Sequence, residues 1–147
     1  NWPEWVVKTD EERVENMPWI LNATSDSGAK LWWIATEKVD GTSTTFTMKR
    51  GKKTLFGQEP NVFYVCSRNV VFDTPEKMNR CYYEQNYYTM MAEKYNIKEV
   101  LAVMLEANPE WEWVTIQGET FGKGVQKNEY EMSDFGGRIC NKVVSAH

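Results

Sequence analysis

The sequence predicts an α+β domain built on antiparallel β-sheets flanked by helices. Three observations carry this prediction. Leu31 to Lys38 and Trp111 to Glu119 both alternate side chains with the period of a strand. Thr42 to Lys49 is rich in β-branched residues and follows an Asp-Gly turn signal. Ile97, Val100, Leu101, Met104 and Leu105 recur at helical spacing and form one apolar stripe. The chain has 147 residues, which suits a single domain with a real core, so residues 1–147 are read as one domain.

Taken in order, Thr9-Asp10-Glu11-Glu12 reads as a capping box, with a short helix after it that stops before Pro18. Asn22 to Gly28 is small and polar, hence a loop. In the next segment Leu31, Trp33, Ala35 and Glu37 face one way and Trp32, Ile34, Thr36 and Lys38 the other. Large apolar groups on both faces predict a central strand. Asp40-Gly41 then turns the chain and Thr42 to Lys49 returns, which puts Lys38 at the mouth of a hairpin. Lys49-Arg50-Gly51-Lys52-Lys53 forms the following turn, and Val62 to Arg68 is a third strand ending in Ser67-Arg68-Asn69.

Asp73-Thr74-Pro75-Glu76 starts a helix with Pro75 at its first position. Asn86 to Tyr95 is helical. Asn96 caps a further helix that Pro109 ends, and the Met and Tyr residues here read as core. In the last alternating segment Trp111, Trp113, Thr115 and Gln117 oppose Val114, Ile116 and Gly118, until Gly122-Lys123-Gly124 breaks the strand. The chain has no internal repeat.

The formal charge of −4 gives no global field toward nucleic acid, so phosphate recognition falls to local clusters. The visible cluster, Lys49 to Lys53, is either a solvated loop or a phosphate contact. Cys66, Cys81 and Cys140 are odd in number and widely spaced. That argues for a reducing, cytoplasmic compartment and against a disulfide framework or a zinc site. The single histidine, His147, is the last residue, which argues against a Ser-His-Asp or Cys-His arrangement. Asn22-Ala23-Thr24 matches a glycosylation acceptor, but the start, Asn1-Trp2-Pro3-Glu4, lacks a signal-peptide layout. No run is long and apolar enough to cross a bilayer, so no membrane partner is expected. The missing initiator Met points to processing or to a piece of a longer chain.

Three residues at strand ends could carry chemistry together. Lys38 would attack phosphorus or carbonyl only as the neutral amine, which requires burial or nearby cations; otherwise it is an exposed lysine before a turn. The Gly41 turn would let a bulky nucleotide approach closely. Arg68, between Ser67 and Asn69, offers a fork for phosphate or ribose, or is a surface arginine. Glu119 offers a carboxylate for a ribose hydroxyl or a divalent metal, or simply ends a strand.

Glu37-Lys38-Val39-Asp40-Gly41 resembles the nucleotidyl-lysine motif of the covalent nucleotidyltransferases: DNA ligases, RNA ligases and mRNA capping enzymes. Ser67-Arg68-Asn69 resembles the next motif in that order. Ile116-Gln117-Gly118-Glu119, continuing through Gly122 to Tyr130, is similar to the third motif of the ATP-dependent RNA ligases, and of their nick-sealing type in some bacteria and phages above all. Lys8 to Asn16 resembles the lead-in to that catalytic domain. The resemblance covers most of the chain from about Lys8 to Tyr130.

It implies a nucleotidyltransferase fold and a three-step reaction. Lys38 takes AMP from ATP, AMP passes to the 5′-phosphate of a nicked or broken RNA, and a 3′-hydroxyl displaces AMP. It also implies Mg2+ or Mn2+ on the phosphates. Glu37 would lie beside the adenine, with Asp40 and Gly41 around the nucleotide. Arg68, with Asn69, would serve the ribose or the RNA end, and Glu119 the ribose or the metal.

The pattern departs from the family after Glu119. A later Glu-Gly motif and a paired-lysine motif are not evident. Asn141-Lys142-Val143 offers one lysine for the α-phosphate and comes early. Arg138-Ile139-Cys140 gives no aromatic where one is expected to stack on adenine, although Phe135 is close. The expectation is therefore an incomplete catalytic domain that adenylylates weakly, completed by a missing carboxyl-terminal segment or another domain. The alternatives are a catalytically deficient module that binds a nucleotide or RNA end, and a capping-type guanylyltransferase or DNA ligase.

Overall fold

The computed structural model describes residues 2–8 and 12–145. Two compact units divide the chain: Asn1–Val6 with Val39–His147, and Val7–Lys38.

In the larger unit the central strand is β1, Thr42–Lys49. Its β-branched run suits a pleated surface buried on both sides. A two-residue-per-strand hairpin follows, β2 (Lys53–Thr54) and β3 (Gly57–Gln58), and then β4, Val62–Cys66. After the helices α1 (Pro75–Met78), α2 (Tyr87–Lys94) and α3 (Ile97–Ala107) come β5, Trp113–Gly122, and β6, Phe135–Val144. The main sheet has the order β4-β1-β5-β6, and every pairing is antiparallel. The α+β class expected from the sequence is what forms.

Strand alternation gives the sheet two different faces. On one, Phe46, Met48, Val114 and Ile116 pack with Tyr88, Met91 and Ala92 of α2 and Leu101 and Leu105 of α3 to form the core. On the other, the Thr47 hydroxyl lies 2.7 Å from that of Thr115 and accepts from Trp5 Nε1 at 3.0 Å. Buried hydroxyls on this face are thus hydrogen-bonded, as burial requires.

The helix signals hold with two changes. Thr74 Oγ1 accepts from Lys77 N and Pro75 opens α1 as expected. Asn86 caps α2 by accepting from Thr89 N. Asn96 stands at the start of α3, but in the left-handed region (φ 49°) and without a side-chain cap bond. In the α3 stripe Leu101 and Leu105 are fully buried, whereas Val100 is 43% exposed. The stripe is wider than the surface that the sheet covers. Arg50 binds one C-terminal carbonyl of α3 and two carbonyls just beyond it. Its Nη2 donates to Leu105 O at 2.6 Å and Asn108 O at 3.2 Å, and its Nε to Trp111 O at 3.1 Å. One member of the basic cluster is therefore a helix-end clamp rather than a solvated loop charge.

Within residues 7–38, short 3-10 turns form at Val14–Asn16 and Pro18–Asn22. The expected helix before Pro18 is thus one turn, and its Thr9 cap lies outside the described residues. Leu31 to Lys38 forms no strand. A strand needs neighbouring backbone for its N–H and C=O groups, and both edges of β1 are taken, by β4 and β5. Trp32 and Ile34 are 96% and 88% exposed. The alternation in this segment therefore marks no buried face, and Thr42–Lys49 is not the returning half of a hairpin with it. Lys38 accordingly is not held at a hairpin mouth, and its side chain is exposed.

Candidate active site

One end of the main sheet gathers the residues of interest. Gly41 bends the chain into β1, and a Cβ there would run into Thr120 O of β5. Only glycine lets the two backbones approach this closely. The register then pairs Thr42 with Thr120 and Ser43 with Glu119. Ser43, Gln117 and Glu119 share the face away from the helices, by alternation. On the other side of β5, Arg138 of β6 stands opposite Glu119. Glu119 is half-buried.

Arg68 reaches the same end from β4. Cys66 pairs with Thr45, so the chain beyond Cys66 runs past the start of β1. There it reverses in a tight turn, with Ser67 N donating to Val70 O at 2.9 Å and Val70 N to Ser67 Oγ at 3.1 Å. Arg68 and Asn69 form the tip of this turn and are exposed.

The loop between β5 and β6 folds back onto the Asp40-Gly41 turn. Tyr130 Oη accepts from Asp40 N at 2.8 Å, and Gln126 Nε2 donates to Gly41 O at 3.2 Å. Gln126 adopts φ 50°, a left-handed conformation that is costly for a side chain of this kind. The loop is anchored at both ends. Gly124 packs against the Tyr87 hydroxyl, where a Cβ would not fit. Lys94 Nζ donates to Asp134 Oδ2 and to Phe135 O, each at 2.6 Å, and lies 4.5 Å from the centre of the Phe135 ring. The hydrogen bond to Lys94 holds the Asp134 carboxyl below the usual range, and that to Asp134 holds the Lys94 amine above its own. Beneath the turn, Tyr88 Oη lies 2.7 Å from Thr42 Oγ1, and burial pushes the phenol up.

On the helix side of the same sheet end is a cavity of about 190 Å³ bordered by Thr44, Ile116, Gly118, Thr120, Met91 and Tyr95 among others.

The sequence model of the RNA ligase family matches residues 32–137, more than half of the chain. The chain belongs to the RNA ligase family. No curated protein and no solved structure gives a significant match. An antiparallel α+β domain of the nucleotidyltransferase type is the fold that this membership fits, and ligases of this family generally use ATP and a divalent metal.

Of the residues singled out in this ligase-family chain, the fold brings together Asp40, Gly41, Arg68, Asn69 and Glu119 at one sheet end. Glu37 and Lys38 belong to the 7–38 unit and join that end through Val39 in sequence. Lys142 is not brought there. It pairs with Ile116 and so faces the helix side, where its Nζ lies 5.2 Å from the centre of the Trp111 ring. A bulge at Gln117/Gly118 sets this register. No group of three or more metal-binding side chains occurs among the described residues. A magnesium ion commonly needs only one or two protein carboxylates plus substrate phosphates, and Glu119 fits that lesser demand.

Sequence reasoning did not assign roles to Gln126, Tyr130 and Arg138. The first two lie within Gly122 to Tyr130, the continuation of the third motif, so proximity in sequence was the available signal. Arg138 becomes visible only through the β5–β6 register.

Proposed function

We propose that this chain is the adenylyltransferase part of an ATP-dependent RNA ligase with Lys38 as its nucleophile. The observation that carries this reading is the family match over residues 32–137, which contains all three motifs in order. The meeting of Gly41, Arg68 and Glu119 at one sheet end supports it.

The neutral Lys38 amine attacks the α-phosphorus of ATP. A P–N bond forms, the bond to pyrophosphate breaks, and the amine proton passes to solvent. The AMP then moves to the 5′-phosphate of an RNA end, and an RNA 3′-hydroxyl displaces it to seal the strand. Glu37 lies beside the adenine, with Asp40 and Gly41 around the nucleotide. Arg68 and Asn69 hold the ribose or the strand end, and Glu119 the ribose. When Mg2+ or Mn2+ is bound, with Glu119 and the phosphates as ligands, it neutralises phosphate charge.

A second reading, a module that binds nucleotide or RNA ends with little turnover, is favoured by the exposure of Lys38, which lacks the burial that would favour its neutral amine, and by the placement of Lys142. The paired lysines that the resemblance calls for at the α-phosphate are not supplied by a side chain on the opposite face of the sheet. The 147-residue chain is therefore expected to adenylylate weakly. Incubation with α-labelled ATP or GTP, then denaturing electrophoresis, tests both readings. An acid-labile adenylate that Lys38→Ala abolishes supports the ligase. Retained ATP binding without label supports the module. Label from GTP alone indicates capping chemistry, and equal label on Lys38→Ala overturns the nucleophile.

A further inference from the structure

The hairpin β2–β3 holds two large apolar side chains entirely in solvent: Leu55 and Phe56 at its tip are 101% and 100% exposed. Such a pair on an exposed tip is unusual for a surface with no partner. The tip is built, not slack. Thr54 Oγ1 donates to Gly57 O at 2.8 Å and accepts from Phe56 N at 3.3 Å. Below it, Glu59 N donates to Lys52 O at 2.9 Å and Gly51 N to Asn61 Oδ1 at 3.0 Å. Arg50 ties the base of the hairpin to the end of α3.

The charge around the tip is specific. Residues 49–61 contain four cations and one carboxylate, Glu59, in a chain of formal charge −4. Arg50 is engaged with carbonyls and Lys49 Nζ lies 4.7 Å from the centre of the Trp5 ring. Lys52 and Lys53 remain on the exposed surface beside the tip. An aromatic face and an aliphatic neighbour flanked by lysines match a polyanion with accessible base faces. A paired A-form duplex hides its base faces, whereas unpaired nucleotides offer them for stacking.

We propose that Leu55 and Phe56, with Lys52 and Lys53, form a secondary binding site for unpaired RNA flanking the ends to be joined. The proposal rests on the RNA ligase reading for its choice of polyanion. The hairpin leaves β1 at Lys49, the end away from Gly41. Eight residues of strand place it about 26 Å from the reaction end, at 3.3 Å per residue. The site therefore touches RNA several nucleotides from the join and leaves the reacting atoms alone.

The test is fluorescence anisotropy with two labelled RNAs, a nicked blunt duplex and the same duplex with a single-stranded tail. The wild-type chain is expected to bind the tailed RNA more tightly. Leu55→Ala/Phe56→Ala removes that increment, weakening the tailed RNA by roughly five- to a hundredfold, and leaves the blunt duplex unchanged. Lys52→Ala/Lys53→Ala lowers the salt-dependence slope for the tail by about 1.4. Both side chains at the tip are in solvent, so folding is retained, as circular dichroism checks. Equal binding of both RNAs by the wild type overturns the proposal. So does a tip variant that changes oligomeric state while RNA affinity stays constant, since the tip then docks protein. Lysyl-adenylate is scored on the same preparations. Its absence beside tail-dependent binding sinks the ligase chemistry alone, and its presence without tail dependence sinks the hairpin site alone.

Discussion

Gly41 and Arg50 show how single residues fix this end of the fold and its far side. At Gly41 the backbone of β5 occupies the space of a Cβ, with Thr120 O in contact. Gly41→Ala must push β1 and β5 apart, and overpacking of this kind costs about 1–3 kcal/mol, which urea denaturation measures. Because Gln126 and Tyr130 bond to this turn, the shift spreads to them. If Lys38 adenylylates, a displacement of about 1 Å only three residues along the chain from it lowers the rate on the order of 100-fold, read by single-turnover labelling. Arg50 does different work. Its guanidinium donates to three carbonyls at and beyond the end of α3. Each hydrogen bond to a charged group contributes about 1.5–3 kcal/mol, so Arg50→Met, which loses three, is expected to cost at least about 3 kcal/mol. Arg50→Lys recovers only part of it, because a point charge cannot reproduce the fork. Equal urea midpoints for the wild type and Arg50→Lys would show that charge alone suffices.

At the scale of elements, legibility followed whether a segment's pattern was answered by a neighbour. Thr42–Lys49, Val62–Cys66, Tyr87–Lys94, Ile97–Ala107 and the β5 strand carry local signals that the sheet and core complete, while Pro75–Met78 forms on its Thr74 cap without burying a side chain. Leu31–Lys38 carries the same alternation, but β1 already has two neighbours, a fact of topology that no local pattern contains. β6 is the converse. Phe135–Val144 includes Gly136, Gly137 and Arg138, a weak strand signal, and it forms because β5 presents an open edge. At the site, Gly41 was legible from its Asp-Gly signal and Glu119 from its motif, but β5 runs on to Gly122, so Glu119 lies within the strand rather than at its end, and Arg138 depended on register. The loop between β5 and β6 gives a prediction with a sign. Asp134 is depressed by Lys94, so its contribution is present above the ordinary carboxylate pKa of about 3.9 and is lost as pH falls through the lower folded value. Lys94 is raised, so its contribution is full below the ordinary lysine value of about 10.4 and is lost as pH climbs through the higher folded one. Loop docking is thus firmest between those limits. The amide protection factors of residues 130–136, taken relative to the intrinsic exchange rate at each pH, should fall on acidification below about pH 4 in the wild type. In Lys94→Met they should be low already at neutral pH, with no such acid step.

At the scale of the whole molecule, Cys66 is a built-in reporter of the larger unit. It is fully buried at the end of β4, bridged to Val71 where the chain folds back. Burial, with a smaller contribution from Asp73, pushes its thiol up to about 12. The thiolate is the reacting form, so at about pH 8 the folded Cys66 is doubly protected, by access and by protonation. Cys140, in contrast, is exposed on β6 and Cys81 half-buried. Iodoacetamide at that pH should therefore modify Cys140 rapidly and Cys66 only through opening of the sheet. Because β4, β1 and the helices share one core, that opening is expected to be global rather than a local fraying of an edge strand. The labelling rate of Cys66 should then track the unfolding free energy across Gly41→Ala and Arg50→Met, with each loss of about 1.4 kcal/mol speeding it about tenfold in the fast-closing regime. A Cys66 rate that stays constant while the urea midpoints fall would mean that β4 opens alone. In that case the Ser67–Val70 turn carrying Arg68 would move independently of the Gly41–Glu119 end.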